Sequence, residues 1–274
     1  MFVSDIDGTL IDRHGVISEA NRRALQKLKD RGIPVILATG RTWGGTQEVW
    51  EQLDLSDPVI VCNGAQVYDP VSKQFLWDQR LTFDEVRAAE TMLRDLPVQV
   101  YAVVSDSLLL VHQPEKQAGF KAFSGDRYAQ VDNVFQYLRE TGTRPVKIFV
   151  LGEPDVIPGA VATLRERGGL NAVQSEPYAF DILAPGTSKA SALTPILQRF
   201  GMSPQHIVAV GNAPNDVELV DIAGLGFAVG DAHPSLLQVA DHVTAPAALD
   251  GVAEAVHRAF PSPMPAPVKA AAPA

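Results

Sequence analysis

Apolar runs alternate with amphipathic stretches along the first third of the chain. Phe2–Ile6 reads as a buried strand, and Ser18–Arg31 as a helix. Ser18 is placed to cap that helix, Ala20, Ala24, Leu25 and Leu28 recur at helical spacing, and Gly32 stands at its stop. Pro34–Ala38 reads as a second strand, Thr46–Leu53 as a helix and Pro58–Cys62 as a third strand. The alternation returns late, with helices at Ala190–Phe200 and Val217–Ala223 and strands at His206–Val210, Gly226–Val229 and Asp241–Thr244. Strands separated by helices predict an α/β fold built on a doubly wound parallel sheet, Rossmann-like in layout.

The middle of the chain breaks this rhythm. Thr82–Leu96 is an amphipathic helix, but strands Val98–Val104 and Leu108–His112 follow with only a short polar turn between them. A strand at Val146–Leu151, a helix at Val156–Arg167 and strands near Ala172–Ser175 and Ala179–Leu183 complete the stretch. Helices set against adjacent strands predict an inserted α+β domain at 82–184, leaving 1–81 and 185–260 to the parallel-sheet core. Residues 261–274 are Pro/Ala-rich without periodicity and read as a disordered tail.

Composition narrows the partners. The 274 residues are 46% hydrophobic and 20% charged, with ample length for a core, the profile of a soluble globular protein. A net charge of −9 with no basic block argues against a nucleic-acid surface. The single cysteine, Cys62, excludes an internal disulfide and fits a reducing compartment. With no leader-like start and no apolar run long enough to span a bilayer, no membrane is expected and the default location is cytoplasmic. The sequence leaves oligomeric state open.

Open parallel sheets carry their chemistry beyond the carboxyl ends of their strands. The first strand runs into Asp5 and Asp7, and Gly8 and Thr9 break it. The second ends in Thr39, Gly40 and Arg41, the third in Cys62, Asn63 and Gly64, and a late strand in Gly-Asn-Ala-Pro-Asn-Asp at 211–216. Two acids at a strand end need a reason, since unpaired buried charge is costly, and a hard cation or a general acid beside a nucleophile would supply one. Asp5–Thr9 alone reads equally as a solvated turn. That every core strand delivers a polar group to one edge favours a site.

These segments resemble a known family. Asp-Ile-Asp-Gly-Thr at 5–9, Leu-Ala-Thr-Gly-Arg at 37–41, Lys189 in Gly-Thr-Ser-Lys-Ala, and the 211–216 segment are similar to the four ordered motifs of the haloacid dehalogenase-like superfamily. The insertion between the second and third resembles the C2-type cap of the Cof-type sugar-phosphatase branch. Asn63-Gly64-Ala65 and the closing Gly224-Leu-Gly and Asp241-His-Val-Thr stretches are also similar to that branch. The likeness runs over about residues 1–260.

The resemblance implies roles. Asp5 matches the nucleophile that forms an aspartyl-phosphate, and Asp7 the general acid/base that serves the leaving group and then water. Thr39 and neighbouring backbone N–H groups would cradle phosphoryl oxygens, with Gly40, Arg41 and Asn63 as substrate contacts. Lys189 would neutralise charge on the transferring group. Mg²⁺ would be held by Asp5, the carbonyl of Asp7, Asn212 and Asp216. Singly, Thr39 reads as well as a helix cap, Lys189 as a solvated lysine and Asn63 as a turn cap. Cys62 reads as a small buried apolar residue, and His112, His206 and His242 lack metal-ligand spacing.

Asn212 departs from the pattern, which has an acid at that position. An amide oxygen can ligate but should hold Mg²⁺ more weakly, with Asp216 as the candidate replacement acid. The expected activity is Mg²⁺-dependent hydrolysis of a small phosphorylated metabolite. The alternatives are a phosphomutase or dedicated sugar-phosphate phosphatase of the same superfamily, and a degenerate, non-catalytic phosphate-binding protein.

Overall fold

The computed structural model describes residues 1–12, 14–105, 107–111 and 127–261. In chain order the strands are β1 (Phe2–Ser4), β2 (Val35–Leu37), β3 (Val59–Val61), β4 (Gln66–Asp69), β5 (Gln74–Asp78), β6 (Val98–Val104), β7 (Ser107–Val111), β8 (Tyr128–Val131), β9 (Lys147–Gly152), β10 (Asn171–Glu176), β11 (Ala179–Leu183), β12 (Val208–Gly211), β13 (Leu225–Ala228) and β14 (His242–Val243). The helices are α1 (Glu19–Asp30), α2 (Trp43–Gln52), α3 (Phe83–Leu93), α4 (Val134–Thr141), α5 (Ile157–Gly168), α6 (Leu193–Phe200), α7 (Val217–Ile222), α8 (Pro234–Leu237) and α9 (Gly251–Ala259).

The expected parallel sheet is present, in the order β14-β13-β12-β1-β2 with every pairing parallel. β1 lies between β2 and β12, and Phe2 and Val3 are wholly buried. A strand covered on both faces reads as a continuous apolar run, which is why the period-2 alternation is absent there. A parallel bridge between Ala38 and Ile60 sets β3 beside β2, and β3, β4 and β5 then pair antiparallel. The sequence reading assigns no element to 66–78, nor to β8, α4 and α9.

Local chemistry fixes the helix ends. The Ser18 hydroxyl accepts the Asn21 backbone N–H at 3.0 Å, as the spacing predicts for α1. Buried Asn21 then accepts the Ala253 N–H at 2.9 Å and donates to the Leu10 carbonyl at 3.3 Å, joining α1, α9 and the turn after β1. α2 starts at Trp43, three residues before the expected Thr46, because Thr42 caps it through the Gly45 N–H. α6 starts at Leu193 rather than Ala190, since Ser188 and Ser191 exchange hydrogen bonds in a turn of their own.

The second sheet has the order β10-β11-β9-β6-β7-β8 and is antiparallel except for β7 with β8. Its two faces pack differently. Ile148, Val150, Phe180 and Ile182 join α3, α4 and α5 in one hydrophobic cluster. Their strand neighbours Phe149, Ala179 and Leu183 join the cluster of the parallel sheet. Alternation along β9 and β11 therefore places Lys147 and Asp181 on the face toward the parallel sheet. His112 and residues 262–274, where the reading puts a strand end and a disordered tail, lie outside the described residues. Among the described residues, no helix is long and apolar enough to cross a membrane.

Candidate active site

The loops after β1, β12, β2 and β3 meet at one edge of the parallel sheet, with the loop before α6 folded against them. The Asp5 N–H donates to the Val210 carbonyl at 3.0 Å, which carries Asp5 past the end of β1. Lys189 Nζ donates to Asp5 Oδ1 and Asp216 Oδ1, each at 2.6 Å. Asp216 Oδ2 accepts the N–H groups of Asn212 and Ala213 at 3.0 and 3.1 Å. The Lys189 and Asp216 side chains have no exposure and that of Asp5 retains 7%, so Asp5 alone of the three keeps any contact with solvent.

Charge imbalance governs this triad. Burial raises the Asp5 carboxyl, Lys189 pulls it down and Asp216 pushes it up, with a net rise from 3.8 to about 7. Lys189 moves upward as well: burial opposes its charge, but the two carboxylates outweigh burial. Close approach brings the lysine here. Gly64 adopts φ +94°, and a Cβ on it would stand 2.0 Å from the Ser188 carbonyl oxygen, so the turn after β3 accepts only glycine against the Lys189 segment.

Asp7 pairs with a different cation. Arg41 grips its carboxylate with two donors, Nε at 2.8 Å and Nη2 at 2.5 Å, and also donates to the Gly45 carbonyl at 3.0 Å. The Asp7 side chain is half exposed. Thr39 is buried, and its hydroxyl accepts the Arg41 N–H at 3.1 Å. Asn63, at φ +53°, donates from Nδ2 to Asp181 Oδ2 at 2.7 Å and accepts from Asn215 Nδ2 at 2.9 Å. Asn212 lies along the first turn, where its Oδ1 accepts the Thr9 hydroxyl at 3.2 Å. A Cβ on Gly8 would be 2.3 Å from its Nδ2, so the amide packs on bare backbone.

The structure thus brings Asp5, Lys189 and Asp216 into direct contact, pairs Asp7 with Arg41, and connects Thr39 to Arg41 through the loop backbone. Four participants escape the sequence reading. Lys147, Asp181 and Asn215 join the Asn63 network, and the signal for the first two was a charge at an inward strand position. Glu176, in the β10–β11 hairpin, has its carboxyl raised by burial and by the Asp7 charge. A cleft of about 250 Å³ opens beside Lys189, lined by Asn63, Asn171, Thr187, Ser188 and Asn215 among others.

Fold and site together define an α/β enzyme with its chemistry at the carboxyl edge of a doubly wound sheet. The chain belongs to the haloacid dehalogenase-like hydrolases, whose family profile matches residues 2–256. The Bacillus subtilis protein named 5-amino-6-(5-phospho-D-ribitylamino)uracil phosphatase YcsE is 26% identical over 92% of both chains. A chloroplastic Arabidopsis thaliana protein named endoribonuclease YBEY is 29% identical over 93% of this chain but only 45% of its own length. The solved structure of the subclass IIB sugar phosphatase BT4131 superposes with a TM-score of 0.81 at 21% identity, over 94% of this chain and 98% of that one.

Proposed function

We propose that this chain is a phosphatase that hydrolyses a small phosphomonoester through an aspartyl-phosphate on Asp5. The observation that carries the reading is the buried Asp5–Lys189–Asp216 triad beside the half-exposed Asp7. An Asp5 carboxylate oxygen attacks phosphorus, and the bond from phosphorus to the leaving oxygen breaks as Asp7 gives that oxygen its proton. Water then attacks the same phosphorus, Asp7 takes its proton, and the acyl-phosphate bond breaks to release phosphate and restore the Asp5 carboxylate. Lys189 balances charge on the phosphoryl oxygens, and Asp216 holds the ammonium in place. Thr39 and the Gly40–Arg41 backbone would cradle the phosphoryl group, with Arg41 also orienting Asp7 and Asn63 holding the adjoining turn.

Mg²⁺ fits the oxygens present, although the donor set is thin. Among the described residues no three His, Cys, Asp or Glu side chains are grouped to hold a metal. Mg²⁺ keeps several waters and takes one or two carboxylates together with substrate phosphate. Asp5, the Asp7 carbonyl and Asn212 Oδ1 would supply the protein's share, with Asp216 behind Lys189 rather than in direct contact. The ion would neutralise negative charge on the phosphoryl oxygens.

Residues 82–184 would form a cap over a core of 1–81 and 185–260. A hairpin held near Asp7 suits a cap that excludes bulk water and screens the leaving group. A polyhydroxylated phosphate ester is the substrate class proposed, since the B. subtilis relative is named for a 5-phospho-D-ribitylamino compound. Asn212 favours one rival, a phosphate-binding protein without turnover, and the intact triad weighs against it. Phosphate release from sugar and polyol phosphates, flavin mononucleotide and pyridoxal phosphate, with and without Mg²⁺, tests the reading. No release from any of them by folded protein would sink it, as would full activity in Asp5→Asn.

A further inference from the structure

A second lysine–carboxylate pair is buried between the two sheets, and the reaction proposed above does not use it. Lys147 opens β9 and Asp181 sits within β11, with side-chain exposures of 0% and 3%. Lys147 Nζ donates to Asp181 Oδ2 at 2.7 Å and to the Gly40 carbonyl at 2.8 Å. The same Oδ2 accepts Asn63 Nδ2 at 2.7 Å. Asn63 donates its backbone N–H to the Thr39 carbonyl at 2.9 Å, and its side chain accepts from Asn215, the neighbour of Asp216. Asp181 Oδ1 is buried with no hydrogen-bond partner among the described residues.

A buried ion pair contributes little net stability, because desolvation offsets attraction, and apolar residues of equal volume often serve as well or better. What apolar residues cannot supply is direction. This pair sends one hydrogen bond to the carbonyl between Thr39 and Arg41, and receives another from the turn that carries Asn63. Both partners, the Gly40 carbonyl that accepts and the Asn63 amide that donates, belong to loops of the parallel sheet, whereas Lys147 and Asp181 belong to the second sheet. Arg41 in turn holds Asp7, so the second sheet's position passes through two links to the proposed acid/base.

We propose that Lys147 and Asp181 are positioning residues that fix the Thr39–Arg41 loop and Asn63 when the second sheet lies over the site. The alignment of Asp7 and the phosphoryl cradle then depends on cap closure, and substrate is processed only under a closed cap. This rests on the phosphatase reading for its kinetic consequence, but the mechanical link stands on the geometry alone.

The test is the double variant Lys147→Met/Asp181→Leu, which removes both charges and keeps the volume. Its melting temperature is expected close to the parent's, since no charge is left unpaired. Its kcat is expected to fall roughly 10- to 100-fold with KM changed less than about threefold, as a small misalignment of reacting groups costs that much. Hydrogen exchange is expected to quicken at the Arg41 and Asn63 amides while the β1 amides keep the parent's protection. Asp181→Asn, which retains an accepting oxygen for Lys147, is expected to fall between parent and double variant. Parental kcat with unchanged exchange in a folded double variant overturns the proposal, and so does uniform loss of protection without a local effect. If the parent itself releases no phosphate, the phosphatase reading fails, and the exchange pattern alone decides whether the link exists.

Discussion

Asp5→Asn is expected to abolish turnover and, in the absence of divalent cations, to make the protein more stable. The triad buries two carboxylates against one ammonium, and the amide removes the excess charge while Lys189 keeps Asp216 at 2.6 Å. The Asp5 carboxyl stands at about 7 in the fold against 3.8 ordinarily, so the native state holds its proton more tightly than the unfolded chain. The sign follows: as pH rises from about 4 to 7 the parent loses stability, because the unfolded chain ionises first. That interval sets a ceiling on the order of 4 kcal/mol, at 1.36 kcal/mol per pH unit. Asp5 is buried but for 7% of its side chain, and local relaxation lowers some of the cost, so a gain of roughly 1–3 kcal/mol is expected at pH 8. Thermal melts in chelator should show the variant higher by roughly 2–4 °C per kcal/mol, with the gap closing toward pH 4. A variant that melts lower than the parent at pH 8, or a gap independent of pH, would refute the charge-imbalance argument.

Lys189→Met removes the one cation between two buried carboxylates and is expected to cost about 3–5 kcal/mol along with all turnover, read from urea midpoints and phosphate release. A cost below about 1 kcal/mol would mean that Asp5 and Asp216 do not share a dry site. Gly64→Ala puts a methyl into the Ser188 carbonyl at positive φ and should cost about 2–4 kcal/mol in urea melts, with activity falling as the Lys189 segment shifts. Asn212→Asp should lower the Mg²⁺ concentration for half-maximal activity about tenfold, worth about 1.4 kcal/mol. An unchanged Mg²⁺ requirement would place residue 212 outside the metal shell.

The sheet was legible because its signals are local. A dry run ending in Asp5, a capped helix after Ser18 and the returning strand–helix rhythm after Ala190 each follow from neighbours in sequence. β4 and β5 were not legible for a physical reason: they pair only with β3 and with each other, and three of the five β5 residues are exposed, so no long apolar run marks them. Among the site residues, Asp5, Asp7, Lys189 and Asp216 stand at strand and loop ends where a charge demands an explanation. Lys147 and Asp181 sit inside apolar strands and meet only when β9 and β11 pair, across 34 positions of chain. Their partnership is tertiary, and nothing adjacent to either residue announces it.

Asn212 acquires its meaning from the charges around it. At the sheet edge, Asp5, Asp7 and Asp216 are opposed by Lys189 and Arg41, which leaves one negative charge in excess. An acid at 212 would add a second, and only a divalent cation would then neutralise the site. With the amide, the Thr9 hydroxyl meets a neutral oxygen, and the site stays near balance before any ion arrives. The amide that would weaken the pull on Mg²⁺ would therefore also lessen the repulsion felt by an incoming phosphate dianion. Affinity for phosphate in chelator should accordingly be measurable in this chain and fall in Asn212→Asp, opposite in direction to the gain in Mg²⁺ affinity. Parallel changes in the two affinities would show that residue 212 acts through shape rather than charge.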